Sequence, residues 1–337
     1  MLSYSMRILI IFICLNFVTS IYAQQQKIKG ITMVAPKYEF TNNPLNEIAA
    51  VEANWVCLVP FAYMTNGQVD LSYGNLRQWW GETREGLLKS VRHAKEAGLN
   101  VMLKPQIYTH GHWIGDLDFD SDAAWTEWES QYRDFLMMMV GIAKQEDVDM
   151  ICIGTEINHS VKKHEQFWRD LISDIRRDYD GLLTYSANWD SYKDVPVWDA
   201  LDFIGISAYF PLSKTETPTQ RELLKKWRPV VANLEQYSEK KNKPILFTEY
   251  GYLTVDGCAD KAWELEKKVH ELNINEQAQA NAMDALFMAN WNQKYWAGGF
   301  LWKWFPNMDG HEGYPEKDYT PQDKLSSSVL KRWYSRD

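Results

Sequence analysis

Pro244-Ile245-Leu246-Phe247-Thr248-Glu249-Tyr250-Gly251-Tyr252 reads as a short apolar strand that ends in a carboxylate. The run from Pro244 to Thr248 is suited to burial, and Glu249 stands where the strand should meet solvent. A carboxylate there costs desolvation energy unless hydrogen bonds or a partner hold it. The pattern occurs once earlier, in Met150-Ile151-Cys152-Ile153-Gly154-Thr155-Glu156. Two carboxylates at two strand ends suit the hydrolysis of a glycosidic bond, provided that the rest of the chain brings them together.

Working outward, apolar runs bounded by turn residues recur. Strands are expected at Lys27–Val34, Asn54–Ala62, Leu99–Gln106, Val148–Thr155, Gly181–Ala187, Leu201–Ala208, Pro244–Thr248 and Ala297–Trp304. Between them, Thr83 caps a helix to Ala97, Ser121 one to Gln145, and Asn275 one to Trp291. His164–Tyr179, Thr219–Lys241 and Asp323–Tyr334 also read as helices, with Pro229 as a kink or break. Tyr63–Glu82 and Ile107–Asp120 read as polar, aromatic loops, and Leu253–Leu272 as a partly helical insertion. Eight strand–helix alternations in order predict one α/β domain, a closed (β/α)8 TIM barrel over residues 27–337. The alternative is an open doubly wound sheet, which usually has a glycine-rich phosphate turn after its first strand; Gly30-Ile31-Thr32 is not one. In a barrel, the polar residues at the strand ends converge on one cleft.

Composition narrows the partners. The net charge is -9 and no basic run is longer than a short pair such as Lys162-Lys163, which argues against nucleic acid. The 337 residues include 16 Trp, of which roughly two in three are expected to pack the core while the others line a cleft, where flat rings stack on sugars. Cys57 and Cys152 lie in apolar runs and read as small hydrophobes; no disulfide framework or thiolate metal site is indicated. The first 23 residues have the charged, apolar and small-residue regions of a secretory signal, with cleavage placed after Ala23 and Ser20 as the alternative. The apolar stretch Ile8–Val18 is short for a membrane span, so a secreted or periplasmic protein with no stable membrane span is expected.

Gly154-Thr155-Glu156, Thr248-Glu249-Tyr250-Gly251 and Leu301-Trp302-Lys303-Trp304, in that order, resemble the retaining glycosidases that carry two glutamates on the fourth and seventh strands of a TIM barrel. More narrowly, the chain is similar to glycoside hydrolase family 113 from about Gly30 to its last helix, including Asn275-Glu276-Gln277-Ala278-Gln279-Ala280. The resemblance implies a β-mannanase acting on a polysaccharide or oligosaccharide, with Glu156 as general acid/base and Glu249 as nucleophile. A retaining mechanism wants the two carboxyls about 5–5.5 Å apart, one protonated and one ionised. By the same resemblance Tyr209 holds the nucleophile and Trp302 lies under the cleaved sugar.

Lys104 and Gln106 are read as binding substrate hydroxyls, since an ammonium within Leu103-Lys104-Pro105 is hard to bury alone. His110 and Trp113 read as substrate-loop residues, and no metal or other cofactor is expected. Thr155 stands where many relatives have Asn against the sugar 2-hydroxyl, leaving Asn188 as the candidate for that contact; Trp189, Trp79 and Trp80 are candidates to extend the cleft. A β-glucan, galactan or xylan substrate, and a barrel that binds carbohydrate without cleaving it, are the competing readings. A monomer is expected.

Overall fold

The computed structural model describes residues 26–75, 78–306 and 315–336. The expected signal, residues 1–23, lies outside them, as do two positions of the Tyr63–Glu82 segment and residues 307–314. Eight parallel strands close into a barrel: β1 (Ile28–Met33), β2 (Trp55–Leu58), β3 (Asn100–Leu103), β4 (Met150–Thr155), β5 (Leu182–Asn188), β6 (Ile204–Ser207), β7 (Ile245–Tyr250) and β8 (Trp296–Trp304), with β8 pairing back onto β1. They are apolar because both faces are covered, one by the barrel interior and the other by helices.

The interior is sealed at its lower end by Ile28, Trp55, Met102, Met150, Phe203, Leu246 and Phe300. Trp55 and Phe300 meet edge to face at 6.2 Å. Gly30 makes room for Phe300, since a Cβ there would come within 2.3 Å of the ring. Cys57 and Cys152 complete the packing, and burial pushes their thiols up to about 12 and about 11, so they stay protonated.

Outside, after the short α1 (Leu45–Ala50), the helices are set by local chemistry. Thr83 accepts a hydrogen bond from Gly86 N at the start of α2 (Arg84–Glu96), and Ser121 accepts from Ala124 N at the start of α3 (Asp122–Gln145). Two helices follow β4, α4 (Asn158–Lys163) and α5 (Glu165–Asp178); the first was not expected. Thr219 and Glu222 form a reciprocal capping box on α6 (Gln220–Lys241). That helix runs on through Pro229, so of the expected kink or break the break does not occur: the proline removes one donor, and the buried side of the helix on Leu223, Trp227 and Leu234 holds it together. The insertion contributes α7 (Ala262–Glu266), and α8 (Glu276–Asn290) and α9 (Leu325–Tyr334) complete the shell.

Strands two and three differ from expectation. Each stops at a proline, Pro60 or Pro105, and resumes as Phe61–Met64 and Gln106–Thr109. These continuations leave the barrel and pair with each other, so the start of each expected loop is in fact a short parallel sheet. A proline cannot donate to a ladder, and here it marks the point of departure. Among the described residues, no helix is long and apolar enough to cross a membrane.

Candidate active site

The register at the carboxyl-terminal end of β4–β7 sets the site. Thr155 of β4 lies opposite Ser186 of β5, Asn188 opposite Ser207 of β6, and Ser207 opposite Glu249 of β7. The Ser186 hydroxyl hydrogen-bonds Thr248 Oγ1 at 2.6 Å and Ser207 Oγ at 3.0 Å, tying three strands together inside the wall. The backbone of each glutamate is held by the same strands: Glu156 N donates to Ser186 O and Ala208 N donates to Glu249 O, both at 2.7 Å. Sequence reading missed this hydroxyl cluster; its only trace is a Ser or Thr near the end of each strand.

Glu249 is buried and held by three donors. Lys104 Nζ forms an ion pair with Oε1, Gln106 Nε2 donates to the same oxygen at 2.8 Å, and Tyr209 OH donates to Oε2 at 3.0 Å. Burial disfavours charge on the fully buried Lys104, yet the Glu249 carboxylate holds its ammonium above the usual lysine range. Burial, with the charge of Glu249, lifts the Tyr209 phenol well above its usual value, so it remains a donor. Trp302 flanks the pair, its ring centre 5.2 Å from Lys104 Nζ.

Glu156 is placed differently. It follows the last residue of β4 with a left-handed backbone, φ +56°, and its carbonyl accepts from Asn158 N at 2.8 Å. Its carboxyl accepts from Trp113 Nε1 at 2.7 Å. Burial, then the nearby negative charge of Glu249, pushes it up to about 7; hydrogen bonds from Trp113 and Ser207 and the Lys104 charge pull the other way. At neutral pH this carboxyl is poised to exchange a proton.

The other expected contacts separate into two groups. Gln106, Tyr209, Trp113 and Trp302 gather around the two carboxyls. Lys104 gathers there too, but with no exposure it faces Glu249 and not open space, because the carboxylate offsets the cost of burying it. Asn188 turns to Asp190 at 3.0 Å, a local bond between side chains two residues apart. Trp189 stacks on Trp263 of the insertion and edges Phe210. Trp80 packs edge-on against Phe40. His110 is exposed beside Tyr108 OH at 3.5 Å. Thr155 is buried, with its hydroxyl toward Cys152.

The model of glycoside hydrolase family 113 matches residues 35–324. Among solved structures, the chain is similar to the GH113 β-mannanase AaManA from Alicyclobacillus acidocaldarius in complex with ManMIm, with 27% identity, a TM-score of 0.79, and 92% of this chain and 97% of that one covered. A GH113 β-1,4-mannanase is 24% identical with a TM-score of 0.76, covering 92% and 99%. A β-glucuronidase from Ruminococcus gnavus shares the fold at 14% identity and TM-score 0.63, covering 91% of this chain and 49% of that one. No curated protein sequence matches the chain.

Proposed function

The chain belongs to glycoside hydrolase family 113, and on that premise we propose that it cleaves the β-1,4-mannosidic bonds of mannan, glucomannan or mannooligosaccharides with retention of configuration. The observation that carries this is the contrast between two neighbouring carboxyls, one held by three donors and one pushed up to about 7. The likeness to the Alicyclobacillus acidocaldarius β-mannanase supports the choice of sugar.

A Glu249 oxygen attacks the anomeric carbon while Glu156 gives its proton to the departing glycosidic oxygen, leaving a glycosyl-enzyme ester. Glu156, now ionised, takes a proton from water, the water oxygen attacks the same carbon, and Glu249 leaves as a carboxylate. Tyr209 and Lys104 orient Glu249 and stabilise it as it regains charge. Gln106, whose amide lies on Glu249 Oε1, is better placed than Asn188 to meet the 2-hydroxyl of a sugar bound to Glu249.

Hydrolysis of mannan, glucomannan, xylan, β-glucan and their oligosaccharides, with the anomer of the first product read by NMR, tests the proposal. Release of the β-anomer from mannan or glucomannan is expected. Cleavage of only another polymer would change the sugar, and α-anomer release would overturn retention. Export through residues 1–23 is part of the proposal, because such polymers lie outside the cell; the amino terminus of the mature protein checks it.

A further inference from the structure

The segment Asn275–Ala280 caps and opens α8, and within it Gln279 is fully buried. The Gln279 amide donates to Tyr252 O at 2.9 Å and to Tyr319 O at 3.1 Å, and its Oε1 accepts from Ser326 Oγ at 2.7 Å. A buried amide satisfied at both ends ties together parts of the chain that nothing local joins. Here they are the turn after β7, the segment that follows β8, and the start of α9. The partly buried Lys324 ammonium adds to the tie, donating to Thr254 Oγ1 at 2.6 Å and to Pro315 O and Asp318 O, both at 2.9 Å.

These bonds fix Tyr319. Its side chain is buried, and its hydroxyl donates to Glu266 Oε1 of α7 at 2.5 Å. Burial, with the charge of Glu266, lifts this phenol well above its usual value, so it stays a donor. The ring lies close over Gly251, two residues past Glu249: a Cβ there would come within 3.1 Å of the ring and 2.3 Å of Trp302 O. The ring also meets that of Tyr209, with centres 6.0 Å apart and planes at 64°. Tyr209 stands two residues past the end of β6, and its hydroxyl donates to Glu249 Oε2. Two side-chain torsions separate its backbone from that hydrogen bond, so a ring packed against it decides whether the hydroxyl stays on the carboxylate.

We propose that Tyr319 is a positioning residue for hydrolysis: its ring holds the Tyr209 phenol on Glu249, and Gln279 and Glu266 hold the ring at its two ends. The inference rests on Glu249 acting as the nucleophile, as read above, and deepens that reading. Tyr209 stabilises Glu249 as the glycosyl–oxygen bond breaks and the carboxylate regains its charge, and a tilted phenol does so less well. The contribution of Tyr319 therefore passes through the Tyr209 hydroxyl.

A double-mutant cycle on an aryl β-mannobioside with a good leaving group reads this coupling. Tyr319→Leu should lower kcat about three- to tenfold, with KM unchanged or lower. Tyr319→Phe keeps the ring and should restore most of the rate. In a Tyr209→Phe background the hydroxyl is already gone, and Tyr319→Leu should cost less than about twofold. Equal losses in the two backgrounds, a raised KM at full kcat, or a Tyr319→Leu enzyme as fast as wild type overturns the brace. Should Tyr319→Leu fail to fold, Glu266→Ala runs the cycle from the exposed end of the brace. It should cost about twofold in kcat with Tyr209 present and nothing without it, and the same loss in both backgrounds overturns the brace. If the wild-type enzyme cleaves only another activated β-glycoside, the sugar changes and the same cycle on that glycoside decides the brace. Inactivity toward every such glycoside overturns the nucleophile reading and the brace together.

Discussion

The ends of β4 and β7 carry the same residue in opposite surroundings. Glu249 continues a regular strand, is buried, and accepts from an ammonium, an amide and a phenol. Glu156 stands just past its strand on a left-handed backbone, accepts from the Trp113 indole and the Ser207 hydroxyl, and is pushed up to about 7. Donors that favour the anion surround one carboxyl; burial and a neighbouring negative charge favour the protonated form of the other. The difference supports the proposed roles without reference to the sugar: the donor-rich carboxylate suits a nucleophile and the one pushed up to about 7 an acid/base.

Removing Glu249 breaks the comparison most severely. Glu249→Gly should lower kcat by about 10⁴-fold or more, and azide should restore turnover of an activated β-glycoside as the α-glycosyl azide, the product of attack from the vacated face. Glu156→Ala should cost about 10²–10⁴-fold on poor leaving groups and far less on activated ones. Azide should then give the β-glycosyl azide, and exchanged azide products between the two variants would reverse the assignment.

Lys104→Met tests the donor side. It leaves a buried carboxylate without its cation, at a cost in stability of about 3–5 kcal/mol measurable by denaturant titration. The smallest effect is expected from Trp113→Phe. Glu156 must carry a proton to act as acid, so activity falls as pH rises through about 7. Losing the indole donor stabilises that proton and should move the alkaline limb up by about one pH unit or less. An unmoved or lowered limb would show that Trp113 does not tune Glu156.

Most of this architecture is legible in the chain because barrel strands buried on both faces are written as unbroken apolar runs, and helix starts as Thr83, Ser121, Thr219 and Asn275. Ten of the sixteen Trp are buried, so their abundance speaks first of the core. The two glutamates were legible because a carboxylate after an apolar run is rare. Partner choice was not. Lys104 meets Glu249 across 145 positions and Trp189 meets Trp263 from a separate insertion, pairings that no local pattern encodes. Asn188 settled for a near neighbour, as short amides do. The small sheet beyond the barrel had little signal: burial alternates along both of its strands, but Phe61-Ala62-Tyr63-Met64 is apolar throughout.

The left-handed backbone at Glu156 bears on how this position tolerates change. A side chain in that region costs roughly 1–2 kcal/mol that glycine does not. Glycine should therefore be the most stable substitute for Glu156, ahead of alanine, with valine and isoleucine worst. A catalyst built for glycosyl transfer by disabling the proton donor would best begin from Glu156→Gly, and the melting temperatures of the three kinds of variant give that ranking directly.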